Sequence, residues 1–428
     1  MSTMTLTQVH LVDSDLTKEN PKSSLKSVDV IIENGTISHI VAAGEGQQLN
    51  QQDPNNTVIN ADGALLLPGI IDLSAHFHNV ASETAAAAKG GISLLCAQPN
   101  SHKSITDTPA AVNLIQQASD DAGNSHLLPL GALTQGLKGE QLANMHGLMA
   151  SGCIALTNAR APIKNALVLR RIMEYAATHD TLIMLTAEDV NLSGGGKMHE
   201  GPTANRLGLT GIAEVAETTS LAQQLLLVEL TGCRAHFSQL SCARSVAMIR
   251  QAQAQGLAVT ADVAIANLLF TDADVDGFDS TFNVQPPLRN ETDRLALLDG
   301  VNDGTLAICS NHRAHDIAAK KAPFAAAEAG MSTLDTWLPM MLTLVKNNEL
   351  SLGALVNASS VLPANILGLT TAIKVGNLAN MVLVNSNNEV LFTEDTLISA
   401  GKNNPVLGMP LVGEVRLTLS EGCEVFRA

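Results

Sequence analysis

The chain has 428 residues, 46% of them hydrophobic, and 41 acidic against 25 basic side chains give a formal charge of -16. That length accommodates a large core plus a smaller appended domain. The negative balance disfavours attraction to phosphate backbones and anionic bilayers, so neither nucleic acid nor membrane is an expected partner.

The start, MSTMTLTQVHLVDSD, lacks a basic segment followed by an apolar one, and no apolar run approaches the ~20 residues of a membrane helix. A cytoplasmic location is expected. The six cysteines, Cys96, Cys153, Cys233, Cys242, Cys309 and Cys423, form no C-x-x-C pair, which fits free thiols in a reducing compartment.

In chain order, alternating runs over Val28 to Ile32 and Thr36 to Val41 flank Asn34-Gly35, a dipeptide favoured in tight hairpins. Gln47 to Asn56 reads as a polar loop. Short β-type runs separated by Ala/Leu-rich helical segments then recur, the rhythm of βα units around a parallel sheet. They are Leu65 to Asp72, Ile92 to Ala97, Leu127 to Gly131, Ile154 to Leu156, Thr181 to Leu185, Ala235 to Leu240, Ala258 to Val263 and Leu306 to Ser310. Eight such units match an α/β (β/α)8 TIM-type barrel, with a doubly wound open sheet as the alternative. Alternation returns over Met381 to Asn385 and Glu414 to Leu419. Residues 1–62 and 373–428 are therefore assigned to a small β-sandwich, and 63–372 to the barrel.

Pro68 to His78, PGIIDLSAHFH, resembles the first barrel strand of cyclic amidohydrolases, where Pro-Gly-x-x-Asp precedes His-x-His. Pro99-Asn100, Ala187-Glu188-Asp189, His199-Glu200-Gly201, Gln285-Pro286-Pro287-Leu288-Arg289 and Asn311-His312-Arg313-Ala314-His315 resemble dihydroorotase in the same order. The resemblance spans nearly the whole chain.

The family's zinc site uses His-x-His on the first strand, a carboxylate or carboxylated lysine on the fourth, and histidines on the fifth and sixth. An aspartate on the eighth serves as ligand and general base. The resemblance puts these positions on Ser74 and His76, on Asn158 within Thr157-Asn158-Ala159-Arg160, on Thr186, on Gln239 and on Asn311. Only His76 keeps an imidazole, too few donors for a catalytic zinc. The expectation is a set of vestigial positions with no catalytic residue, no metal site and no cofactor. The arginine that holds the substrate carboxylate in the family falls on His78, while Asn100 is kept. Asn100, His78, Gln285, His312 and His315 form the candidate residual ligand pocket.

The chain is most similar to the non-catalytic dihydroorotase-like chains that accompany aspartate transcarbamoylase in some bacteria. The resemblance implies an assembly subunit in de novo pyrimidine biosynthesis, a catalytic transcarbamoylase chain as partner, and a homo-oligomer. The alternatives are an active dihydroorotase or related cyclic amidohydrolase that binds zinc through rearranged ligands, and a small-molecule sensor that uses the empty barrel mouth. His76 and His78 could form a displaced His-x-His pair, but a two-residue shift moves each ring by ~6.6 Å. His236, three residues before Gln239, is expected on the opposite strand face as a packed polar residue. Gly194-Gly195-Gly196-Lys197 lacks the Ser/Thr and outer glycine of a phosphate loop. Leu221, Leu225, Val228 and Leu230 form a helical stripe expected in the core.

Overall fold

Asn34 and Gly35 both adopt positive φ, 51° and 78°, the backbone that a tight two-residue hairpin needs and these residues tolerate. In the computed structural model, which describes residues 3–12, 25–49, 56–101 and 103–428, they join β2 (Ser27–Glu33) to β3 (Thr36–Ala42). β2 also pairs antiparallel with β1 (Thr3–Leu11), while β4 (Asn56–Asn60) and β5 (Leu65–Pro68) lie parallel to β1. Of the stretch 47–56 expected as a polar loop, residues 47–49 belong to a short helix (Gly46–Leu49), Asn56 opens β4, and residues 50–55 lie outside the described residues.

The parallel sheet begins immediately afterwards. Its strands are β6 (Ile70–His76), β7 (Ile92–Ala97), β8 (His126–Ala132), β9 (Ala155–Thr157) and β10 (Ile183–Thr186). A small ribbon, β11 (Met198–His199) with β12 (Gly211–Ile212), interrupts the series. It continues through β13 (Ala235–Ser238), β14 (Val259–Ala264) and β15 (Leu306–Cys309). Just beyond β15, β16 (His312–Arg313) pairs with β6, bringing the last strand back to the first. This is the (β/α)8 barrel. Asp72 fastens the seam: its Oδ1 accepts from the Ser310 amide at 2.7 Å and its Oδ2 from the Ser310 hydroxyl.

Apolar strand residues divide between two cores. Ile71, Leu73, Leu94, Cys96, Met184 and Cys309 fill the barrel interior against the helix Leu362–Leu367. Residues of alternate register, such as Ile70, Leu95, Ile183 and Phe237, pack outward in the larger core. The helix Val215–Thr231 buries Leu221 and Val228, but Leu230 is 62% exposed. Two residues beyond Val228 turn a helix by about 200°, so the expected stripe ends at Val228. The segment Gly194–Lys197 follows a short helix with Gly194 as its left-handed C-cap.

β17 (Met381–Leu391), β18 (Pro410–Ser420) and β19 (Cys423–Arg427) complete the terminal domain in the order β19-β18-β17-β5-β1-β2-β3. The two chain ends thus share one antiparallel-rich β-sandwich around Leu6, Val30, Leu66, Leu383 and Leu417.

One sequence expectation needs correction. Leu65 to Asp72 is not a single barrel strand, because the chain leaves the terminal sheet at Gly69 and enters the barrel at Ile70. Both halves are buried and apolar, so periodicity does not separate them. Gly69 is the crossing point: its amide donates to Asn380 O at 2.8 Å, and a Cβ there would lie 2.4 Å from Ser93 Oγ and 2.9 Å from the Asn380 carbonyl carbon. Gly69→Ala should overpack this crossing and cost about 1–3 kcal/mol. Thermal denaturation should show a midpoint lowered by a few degrees; an unchanged midpoint would mean the two domains can separate there.

Candidate functional site

Parallel barrels build their sites from the loops after each strand's C-terminal end, and the predicted positions collect there. Ser74, His76, Asn100, Thr186, Gln239, Gln285, Asn311 and His312 line one cavity of about 60 Å³. Three strand-to-loop junctions turn through left-handed backbone, at Ala159 (φ 49°), Gln239 (57°) and Asn311 (45°). Such geometry costs a non-glycine residue about 1–3 kcal/mol and concentrates at functional sites.

At the positions that the resemblance aligns with metal ligands, the side chains bond to one another and to nearby backbone. Gln239 Nε2 and Gln98 Nε2 donate to Ser74 Oγ at 2.8 and 2.9 Å. Thr186 Oγ1 donates to Ala159 O at 2.9 Å, and Asn311 Nδ2 to Gln285 O at 3.0 Å. These bonds join neutral groups and call on no metal charge. Burial, then the positive charges of Arg313 and nearby imidazoles, pushes the His76 pKa down to about 4. His76 is therefore neutral near pH 7.

Asn158 does not join this set. Its Oδ1 accepts from Thr134 Oγ1 at 2.7 Å and its Nδ2 donates to Ala161 O at 3.0 Å, which ties the side chain into its own loop. Arg160, two residues on, enters the site instead. Its Nη1 donates to Gln239 Oε1 at 3.0 Å and its Nη2 reaches Glu188 Oε2 at 2.7 Å. Glu188 also accepts from Gln285 Nε2 at 3.1 Å. A guanidinium thus stands where the resemblance placed a bridging anion.

The candidate pocket residues divide. Asn100 and Gln285 line the cavity, whereas His78 is exposed, with its ring nearly perpendicular to that of His76 and the centroids 5.3 Å apart. His312 lines it too, but is committed to structure: Nε2 lies 3.1 Å from Glu83 Oε2, and Nδ1 accepts from the Thr333 amide at 3.1 Å. Burial opposes ionisation of Glu83, yet His312 and the Ala400 amide outweigh it and hold the carboxyl below its ordinary value. His315 braces a loop, with Nε2 3.0 Å from Ala329 O. His236 is fully buried, bonded through Nδ1 to Thr260 Oγ1 at 2.9 Å and through Nε2 to Asp262 Oδ2 at 2.8 Å.

Sequence reasoning missed Arg160, Gln98 and Arg313, all of which line the cavity. Arg313 was visible as a charge inside the block Asn311 to His315; nothing in the sequence marked Arg160 as turning inward. Among the described residues, no three His, Cys, Asp or Glu side chains are grouped as metal ligands. No helix of the described residues is long and apolar enough to cross a membrane.

Residues 63–245 match the protein family described as Dihydro-orotase-like. The chain is 43% identical to a dihydroorotase-like protein from Pseudomonas aeruginosa over 94% of its length and 96% of that protein's. The chain belongs to the dihydroorotase-like family. It is also 36% identical to a dihydroorotase from Thermoanaerobacter, over 92% of each chain. Its fold superposes on that of an L-hydantoinase from Arthrobacter aurescens with a TM-score of 0.83 at 22% identity, covering 100% of this chain and 96% of that one.

Enzymes of this fold imply zinc, and the residues of this dihydroorotase-like mouth do not fit it. Hydroxyl and amide side chains are poor zinc ligands, the Arg160 guanidinium repels a dication, and His76 is the sole imidazole that lines the cavity apart from the ion-paired His312.

The depressed His76 pKa has a thermodynamic consequence. Between about 4 in the folded chain and ~6.5 when unfolded, the unfolded state binds more protons. Stability is therefore greatest above this window and falls as pH drops through it. Acidification from pH 7 to 4.5 should lower the melting temperature of the native chain more than that of His76→Gln. Parallel melts with equal losses would contradict the assignment.

Proposed function

We propose that this chain is a catalytically inactive dihydroorotase homologue that serves as an assembly subunit for aspartate transcarbamoylase in de novo pyrimidine biosynthesis. One observation carries the reading: the mouth holds a hydrogen-bonded set of neutral side chains and an arginine in place of metal ligands, within an otherwise retained barrel. Water activation and carbonyl polarisation at such a site need a Lewis acid or a positioned base. Asn311, at the general-base position, cannot take up a proton and spends its amide on Gln285 O.

Retention of a rigid barrel without its chemistry favours a role carried by surfaces, and barrels of this size suit symmetric assembly. Partner and oligomer enter through the resemblance to companion chains of the transcarbamoylase. The name of the relative in Pseudomonas aeruginosa, a dihydroorotase-like protein, is consistent with it.

Two measurements test the reading together. The purified chain should not open or close the dihydroorotate ring above background, and on mixing with the transcarbamoylase catalytic chain it should migrate as one larger species in sedimentation. Arg160→Ala with Gln239→Ala, confined to the mouth, should leave that species intact. Turnover abolished by His76→Ala would establish the rearranged-zinc alternative. A chain that sediments independently of the transcarbamoylase would remove the assembly role.

A further inference from the structure

The barrel mouth is not inert. Of the buried side-chain polar atoms without a hydrogen-bond partner among the described residues, six belong to residues lining this one cavity: His76 Nδ1, Gln98 Oε1, Asn100 Oδ1, Arg160 Nε, Arg313 Nε and His312 Nε2, the last of which faces Glu83 Oε2 at 3.1 Å. Buried polar groups are normally paired, so a cluster of unpaired ones around one cavity points to something that pairs them. Water could do so for neutral atoms. It does not neutralise a charge.

The charge is that of Arg313. Arg160 is balanced by Glu188 at 2.7 Å, but among the described residues no carboxylate lies within ion-pair distance of the half-buried Arg313. Glu328 acts on it only at longer range, while Arg160 repels it. An uncompensated, half-desolvated guanidinium is costly unless an anion completes it. Its placement is built: Arg313 N donates to Met331 O at 2.9 Å, and Asn403 Nδ2 to Arg313 O at 2.9 Å. Gly330 lies against its stem, where a Cβ would approach Arg313 Cβ to 2.8 Å.

We propose that the barrel mouth is a binding site for a small hydroxy- or amino-carboxylate. The ligand carboxylate sits on the planar Arg313 fork, which matches it bidentately, and its O–H or N–H donors reach the carbonyl oxygens of Gln98 and Asn100. The cavity of about 60 Å³ opens to solvent, so it takes the carboxylate and its neighbouring donor while the rest of the ligand can extend outward. The site goes beyond the assembly role and stands whether or not the chain binds a transcarbamoylase.

The test uses the full chain and four probes: glycolate and L-malate, which carry both groups, acetate, which lacks the donor, and inorganic phosphate. Glycolate or L-malate should raise the thermal midpoint by a few degrees in a saturable way, acetate should do so at least tenfold more weakly, and Arg313→Gln should abolish the response. Arg170→Gln, at an exposed residue remote from the mouth, should keep it. If Arg313→Gln fails to fold, Arg313→Lys should fold and raise the half-saturating concentration at least tenfold. The proposal falls if no probe gives a saturable shift, if the Arg313 variants respond as the native chain does, or if acetate equals glycolate. Phosphate matching L-malate with the same Arg313 dependence would overturn the carboxylate assignment.

Discussion

The seam between the first and last barrel strands is the constraint on which the rest of the mouth depends. Asp72 accepts from both the amide and the hydroxyl of Ser310, and Ser310 Oγ also lies 3.0 Å from Ser74 O. Burial pushes the Asp72 carboxyl up to about 6, with the Ser310 donors acting in the opposite direction. This clasp holds Ser74 and Asn311 across the seam from one another. The two side chains of the clasp, Asp72 and Ser310, are not among the positions aligned with the family's ligands, so closure of the barrel does not rely on the side chains at those positions.

Buried charge is kept in this protein where it is paired. Below and beside the mouth, His236 meets Asp262, Glu83 meets His312, and Glu217 accepts from the Ser241 amide at 3.0 Å beside Arg289. A buried charge stripped of its partner costs more than a neutral residue in its place. At the mouth, Ser74, Thr186, Gln239 and Asn311 carry no charge, which removes the repulsion that clustered carboxylates and imidazolium groups would suffer without a cation. Arg160 fills part of the space and brings its counter-ion, Glu188, from the neighbouring loop. Among the described residues Arg313 has no such partner, and this asymmetry gives the cavity its chemical preference.

Much of this was legible in the sequence. The βα rhythm located the barrel strands, and the block Pro68 to His78 placed Ser74 and His76 at the end of the first strand to bear ligands. Three features were not. The break at Gly69 lies within a continuous apolar run, so only tertiary contact with Asn380 reveals it. Asn158 turns into its loop and Arg160 into the barrel because Ala159 takes a left-handed backbone that alanine does not advertise. The resemblance aligned His78 with a substrate contact, but β6 ends at His76, and beyond it alternation no longer fixes direction.

The central claim is that neutral hydrogen-bonding side chains and Arg160 occupy the positions aligned with the family's ligands and do not suit zinc. Crystals grown with excess zinc and measured across its absorption edge test this most directly. The account predicts no anomalous peak within the mouth, with Gln239 and Gln98 still bonded to Ser74. A peak ~2.0–2.1 Å from a His76 nitrogen, with Arg160 swung out of the cavity, would contradict it.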